Sequence, residues 1–123
     1  MNLNQATVAV SNIPRSIDFY LTLGLRLIVR SDDYARFECA NGATFSIHRM
    51  QSVTPSQTVL YFEREDLDAY VRHLSNSGIV FESDPQDMVW LWREARLRDP
   101  DGNPICLYFA GENRLNPPWR VQS

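Results

Sequence analysis

Two tryptophans, a carboxylate and a guanidinium alternate along one segment in the second half of the chain. Within the stretch 88–96, every second position is taken in turn by Trp90, Trp92, Glu94 and Arg96. Because successive side chains of a strand point to opposite faces, these four would share one face of a strand predicted over 89–98. Flat rings can stack on a ligand while a charge pair orients it, which is typical of a binding wall. The alternative is that the two rings fill a core or a subunit interface.

The same alternation along other predicted strands adds polar and aromatic side chains to a concave surface. Apolar residues at every second position of 5–10, 44–48 and 104–109 mark the face that packs under helices, including Phe109. The intervening residues then line a cavity, and a concave surface of mixed polarity is the usual small-molecule site. The predicted ligand-binding residues are Thr7, Ser46, His48, Tyr61, Trp90, Trp92, Glu94, Arg96, Cys106 and Tyr108.

Residues for covalent or acid–base catalysis are sparse. All 12 basic residues are arginine, so the chain has neither a Schiff-base lysine nor a P-loop lysine. Its 2 histidines and 2 cysteines form no recognisable Ser-His-Asp or Cys-His constellation, and no catalytic residue is assigned. Cys106 beside the cavity is either a reactive thiol or, as we expect, a buried apolar one.

The composition excludes several classes of protein. A net charge of −3 argues against a nucleic-acid binder, and no apolar run approaches the length of a membrane-spanning helix. The N-terminal residues lack the basic start and the apolar stretch of a signal peptide. Cys39 and Cys106 lie in apolar segments and are expected to remain reduced thiols. We therefore expect a cytoplasmic protein with no membrane or nucleic-acid partner.

An internal repeat organises the chain. A short apolar strand precedes a helical pattern twice, and the same spacing of 54 residues separates Ile13 from Leu67 and Gly24 from Gly78. Asp66 is the predicted cap of the second helix, and a glycine in the left-handed conformation is expected to end each helix. Two further strands follow each helix, over 25–30 and 34–40 in the first half and over 79–82 and 89–98 in the second.

Each half then ends in a turn and a last strand. Asn41-Gly42 and Asp101-Gly102 are hairpin-turn dipeptides, and each precedes an apolar strand. The pattern predicts an α+β fold of two βαβββ modules with curved mixed sheets around a cavity. We expect one domain over 1–123, with modules at about 5–50 and 58–110 and a C-terminal tail over 111–123.

Two segments resemble the vicinal oxygen chelate superfamily, which includes glyoxalase I, extradiol dioxygenases and bleomycin-binding proteins. The segment from Val10 to Tyr20 is similar to the family's strand-to-helix opening, and that from Leu97 to Asn103 to its Asp-Pro-Asp-Gly-Asn turn. The resemblance covers about 5–110 and implies the paired βαβββ fold. It says little about chemistry, because the superfamily hosts many activities on one scaffold.

Enzymes of this superfamily hold a divalent ion with two ligands from each module. The resemblance places those positions at Gln5, Ser46, Val59 and Cys106, of which only Gln5 is a conventional ligand. We therefore expect no metal and no other cofactor. The alternative is a relocated metal site that draws on Gln5, His48, Glu63 and Glu94.

The sequence thus predicts a metal-independent protein that binds a small molecule, either a drug or a metabolite. The alternative is a metal-dependent lyase, isomerase or dioxygenase of the same superfamily, with His48 or Glu94 as base. A third possibility is a structural or regulatory dimer without a ligand. Aromatic residues near the chain's ends and edges are difficult to cover within one small domain, so we expect a homodimer, with Trp119 near its interface or at the mouth of the cavity.

Overall fold

The computed structural model describes residues 1–122, in which eight strands, two helices and one 3₁₀ turn are found. In chain order these are β1 (Gln5–Val10), α1 (Ile13–Leu23), β2 (Arg26–Arg30), β3 (Tyr34–Glu38), β4 (Thr44–Arg49), β5 (Leu60–Glu63), α2 (Leu67–Asn76), β6 (Gln86–Asp87), β7 (Arg93–Arg98), β8 (Pro104–Phe109) and the 3₁₀ turn Gly111–Asn113.

The chain divides into two compact units of the same design. The first contains Met1–Thr58 with Asp99–Asn103, and the second contains Val59–Arg98 with the chain from Pro104 onward. Their sheets have the orders β1-β4-β3-β2 and β5-β8-β7-β6. The pairs β1–β4 and β5–β8 are parallel and the other neighbours are antiparallel. The predicted α+β fold with two βαβββ modules and mixed sheets is confirmed.

Local signals set both ends of α1. The Asn12 side chain accepts a hydrogen bond from the backbone N–H of Arg15 at 2.9 Å, and Pro14 occupies the first turn, where its missing N–H costs nothing. Gly24 ends the helix at φ 112°, a left-handed conformation that glycine adopts without a steric penalty.

The buried side of the first sheet faces α1. Tyr20 packs against Phe37 and Phe45 with ring centroids 5.7 and 4.7 Å apart, and Ile47 and Val10 are fully buried. Burying one such side chain contributes about 1.5–3 kcal/mol. The other side of the sheet therefore presents the alternate residues of β1, β3 and β4.

In the second unit, α2 covers one face of β7 and β8. Leu67, Val71 and Leu74 are its buried residues, and Leu97 and Leu107 are buried on the sheet below. Gly78 follows the helix at φ 96°, as predicted. Asp66 occupies the predicted cap position, but its carboxylate binds Arg64 at 2.8 and 2.9 Å and makes no capping hydrogen bond.

Two predicted strands of the second unit are shorter or displaced. Residues 79–82 contribute only an isolated bridge between Phe81 and Leu97, and the neighbour of β7 is instead β6. The strand predicted over 89–98 begins only at Arg93, because residues 88–92 form a turn. The backbone N–H of Met88 donates to the carbonyl of Trp92 at 2.8 Å, and Leu91 has φ 70°.

The end of the chain also departs from expectation. Phe109 was expected to pack under a helix but is 37% exposed, because it lies at the last position of β8, against Gly111. Trp119 is 56% exposed, so its docking on a partner subunit stays a prediction. No helix within residues 1–122 has the length and apolar character needed to cross a membrane.

Candidate ligand-binding site

Most of the predicted ligand-binding residues lie on the face of the second sheet opposite α2. Two rows of side chains run in register across β5, β8 and β7, and they are Tyr61–Cys106–Arg96 and Glu63–Tyr108–Glu94. We call this surface the aromatic face and define it by these rows together with Trp90 and Trp92. The alternation read from the sequence predicts the rows correctly.

Three rings form the centre of the aromatic face. Trp92 lies 4.9 Å from Tyr108 and 5.8 Å from Tyr61 between ring centroids, and the two tyrosines are 5.4 Å apart. Both contacts of Tyr61 are edge-to-face, an arrangement that the ring quadrupoles favour. Tyr108 and the neighbouring Cys106 are buried, and Trp92 packs against both. The rings are thus held in fixed positions by packing.

Glu94 is a buried carboxylate beside these rings. It is only 3% exposed, and it accepts hydrogen bonds from the Trp90 indole N–H at 2.8 Å and from Arg96 Nη2 at 2.9 Å. These donors compensate for the loss of water around a buried charge. Arg96 Nη2 also donates to the Tyr61 hydroxyl at 3.2 Å. The predicted charge pair of Glu94 and Arg96 is therefore hydrogen bonded to two rings: Glu94 to Trp90 and Arg96 to Tyr61.

Cys106 is a buried thiol and not an activated nucleophile. Burial and the neighbouring Glu94 carboxylate raise the pKa of Cys106 to about 12. Burial is also the first cause of the raised pKa of Tyr108. Because the reactive form of cysteine is the thiolate, this environment favours the apolar alternative predicted for Cys106.

Glu63 has a structural role at the edge of the aromatic face. Its Oε2 accepts hydrogen bonds from the backbone N–H groups of Ala110 and Gly111, at 2.8 and 3.0 Å. These contacts hold the chain where it leaves β8. The Glu63 carboxylate is therefore occupied by hydrogen bonds to the backbone. The sequence does not predict this role, because the role depends on where residues 110–111 lie in the folded chain.

A separate cleft of about 490 Å³ opens on the helix side of the second unit. Its walls include Arg93, which binds Asp68 and Asp87 through hydrogen bonds of 2.8 to 3.0 Å. None of the predicted ligand-binding residues lines this cleft. We therefore place the candidate site on the aromatic face, where rings and a buried charge occur together.

The first unit carries a polar network on the face of its sheet opposite α1. Gln5 Nε2 donates to Ser46 Oγ at 2.8 Å and to Thr7 Oγ1 at 3.2 Å, and Gln5 Oε1 accepts from Thr44. Thr7 and Ser46, both predicted site residues, are therefore brought together. His48 also lies on this sheet but is exposed near the end of β4, and within residues 1–122 its side chain makes no hydrogen bond.

Sequence reasoning missed two members of this network, Tyr34 and Arg36. The oxygens of Tyr34 and Ser46 are 2.6 Å apart, and Arg36 Nε donates to the Tyr34 hydroxyl at 2.9 Å. These contacts lower the pKa of Tyr34, and the hydrogen bond with Ser46 is the largest cause. The signal in the sequence is alternation along β3, where Ala35 and Phe37 are buried and the alternate residues, Tyr34 and Arg36, point to the opposite face.

The positions that the superfamily resemblance assigns to metal ligands do not fit a metal ion in this chain. In the first unit, Gln5 and Ser46 are hydrogen bonded to each other. In the second, the Val59 side chain has no donor atom, and the raised pKa of Cys106 opposes the thiolate that a metal requires.

The alternative ligand set is not assembled within either unit. Gln5 pairs with Thr44 and His48 with Ala9 along the parallel strands β1 and β4, so about four residues, or about 13 Å, separate Gln5 from His48. Glu63 accepts hydrogen bonds from the backbone of residues 110–111, and Glu94 accepts them from Trp90 and Arg96. Among residues 1–122, no group of three or more His, Cys, Asp or Glu side chains is placed to hold a metal ion.

Comparison with known proteins identifies a family and a relative in sequence. The profile of the Glyoxalase/Bleomycin resistance protein/Dioxygenase superfamily matches residues 2–107. The uncharacterized protein YraH of Bacillus subtilis strain 168 is 30% identical over 127 residues, covering 88% of this chain and 98% of YraH.

Solved structures share the fold at lower identity. A glyoxalase/bleomycin resistance protein/dioxygenase from Nocardioides is 20% identical, with a TM-score of 0.78 over 99% of this chain and 90% of that one. A bleomycin-binding protein complexed with bleomycin is 19% identical, with a TM-score of 0.73 over 89% of this chain and 98% of that one. At these identities the likeness concerns the fold alone.

Proposed function

Since the chain belongs to the glyoxalase/bleomycin resistance protein/dioxygenase superfamily, we propose that it binds a small organic molecule, a drug or a metabolite, without a metal ion. The observation that carries this proposal is the aromatic face, where a buried carboxylate is joined to a cluster of rings. Such a combination of stacking surfaces and few fixed polar groups is typical of small-molecule sites.

The rings of this face are accessible to a ligand. Tyr61 is 43% exposed and Trp90 is 40% exposed, although both are fixed by hydrogen bonds to Arg96 and Glu94. Apolar area buried by a flat molecule that stacks on them stabilises the complex by about 25 cal/mol per Å². The side chains are already ordered, so binding does not have to fix them. The site is therefore suited to a planar, partly apolar ligand.

The fold comparison supports a ligand of this kind. A bleomycin-binding protein with the same fold was solved with bleomycin bound. The donor atoms at the family's metal positions support binding that does not depend on a metal, because Gln5 and Ser46 bind each other and the Val59 side chain has no donor.

We propose that the chain assembles as a homodimer, supported by the exposed apolar side chains of the tail, of which Trp119 is the largest. A reducing cytoplasm agrees with the two free thiols, Cys39 and Cys106.

Ligand binding is tested by quenching of tryptophan fluorescence. The protein is titrated in EDTA with metal-free bleomycin and with a panel of planar aromatic compounds. We expect saturable quenching by at least one compound, and we expect Tyr61→Ala to weaken that binding by about tenfold through loss of a stacking ring. Tyr70→Ala, a matched change on α2, should leave the affinity unchanged.

Three results would contradict the proposal. They are the absence of saturable quenching with every compound, binding that appears only after a divalent metal is added, and an equal loss of affinity in Tyr70→Ala. Binding restored by a metal would instead favour the metal-dependent enzyme.

A further inference from the structure

The buried hydroxyl of Ser46 determines where the protons of the first unit's polar network lie. Ser46 is fully buried, its Oγ accepts from Gln5 Nε2, and the Tyr34 oxygen is 2.6 Å away. If Tyr34 donated to Ser46, the Ser46 proton would be buried without an acceptor, which is unfavourable. Ser46 therefore donates to Tyr34, and each polar atom of Ser46 then has a partner.

This assignment leaves the Tyr34 proton free. The phenol oxygen accepts from Ser46 and from Arg36 Nε, so both of its lone pairs are used. Its own O–H then has no acceptor among the hydrogen bonds found within residues 1–122. The lowered pKa of Tyr34 agrees with an oxygen that accepts two hydrogen bonds, one of them from a cation.

Arg36 supplies a positive charge beside this free donor. It is half-buried, and its Nε contacts Tyr34 at 2.9 Å, whereas its Nη atoms have no partner within the described residues. Arg36 forms no ion pair within the described residues, although Glu38 lies two positions further along the same face of β3. A half-buried guanidinium with unused donors is well suited to an anionic ligand.

We propose that the Tyr34 hydroxyl and the Arg36 guanidinium form a binding site for the carboxylate group of a small molecule. The phenol offers one O–H and the guanidinium offers adjacent N–H groups, a pattern that two carboxylate oxygens can accept together. One negative charge matches the one positive charge of Arg36. This site lies wholly in the first unit, and it goes beyond the function proposed for the aromatic face.

The test is an NMR titration of the ¹⁵N-labelled full chain with sodium benzoate, at an ionic strength held constant with sodium chloride. We expect saturable shifts of the Arg36 Nε–Hε signal and of the Ser46 amide. Arg36→Gln should weaken benzoate binding by about tenfold or more, since a charge-assisted contact is lost. Tyr34→Phe should weaken it by several-fold, and Arg36→Lys should retain part of the affinity.

Two controls make the result specific. Arg30→Gln changes an exposed arginine of β2 that pairs with Ala35, on the other face of the sheet, and should leave the affinity unchanged. Benzamide, which has the same ring without the charge, should bind far more weakly than benzoate. Unchanged binding in Arg36→Gln, an equal loss in Arg30→Gln, or benzamide binding as tight as benzoate would each overturn the proposal.

Discussion

The Tyr20 hydroxyl donates a hydrogen bond of 2.7 Å to Asp99 Oδ2, and both side chains are buried although 79 residues separate them. The other oxygen of Asp99 accepts from the backbone N–H groups of Asp101 and Asn103. Asn103 in turn donates to the carbonyl of Ala9 at 3.0 Å. Residues of the two segments that carry the family resemblance thus contact each other within the first unit, and these contacts give Tyr20, Asp99 and Asn103 a structural role.

Tyr20→Phe should destabilise the protein. The substitution keeps the ring in the core but leaves the buried Asp99 carboxylate without one donor, which costs about 1–3 kcal/mol. Urea denaturation measures the change in the free energy of unfolding. Tyr61→Phe, at an exposed position, serves as the control and should change stability by less than about 0.5 kcal/mol. Equal free energies of unfolding for Tyr20→Phe and the parent protein would show that this hydrogen bond contributes no net stability.

The tyrosines should ionise in a defined order. The pKa of Tyr34 is lowered by Ser46 and Arg36, whereas burial raises the pKa of Tyr20 and of Tyr108. As pH rises, Tyr34 should therefore lose its proton before the other two. The ring ¹³Cζ shifts, followed by NMR against pH and assigned with Tyr34→Phe, measure this order.

The same titration has an internal control in Arg36→Gln. Removal of the positive charge should raise the pKa of Tyr34 and leave Tyr108 unchanged, because no arginine of β3 lowers the pKa of Tyr108. A Tyr34 that titrates together with Tyr108, or that does not respond to Arg36→Gln, contradicts the described network.

Cys106 should be nearly inert in the folded protein. With a pKa of about 12, only about one thiol in ten thousand is ionised near pH 8, against roughly a quarter for an ordinary cysteine. We expect Cys106 in the Cys39→Ala variant to react with iodoacetamide about a thousandfold more slowly when folded than in urea. Mass spectrometry of the alkylated protein measures both rates. Folded and unfolded rates within tenfold of each other would be inconsistent with this environment.

The features that the sequence predicts correctly depend on local rules. Gly24 and Gly78 end their helices because only glycine adopts φ 112° and 96° without strain. Tyr61, Glu94 and Tyr108 share a face because the side-chain period of a strand is two residues. Neither rule needs any information about distant parts of the chain.

The features that the sequence does not predict depend on the pairing register of strands or on an unusual backbone conformation. Leu91 adopts φ 70°, a conformation rare for leucine, so the turn that moves Trp90 off the strand has no turn residue to mark it. Arg36 faces Ser46 through one pairing of β3 with β4, and a slip of one residue would place it on the other side. Such pairings follow from tertiary structure and are not encoded in residue type.

The homodimer is tested by sedimentation velocity at micromolar concentration, where we expect a species of twice 14.2 kDa. Trp119 is exposed in the single chain, and an aromatic side chain buried in a two-fold interface often contributes about 2 kcal/mol or more. Trp119→Ala should therefore weaken dimerisation by about tenfold or more. Leu21→Ala, an exposed change on α1, is the control and should leave the dimer intact. A single species near 14.2 kDa would exclude the dimer, and an unchanged dimer in Trp119→Ala would place the interface away from the tail.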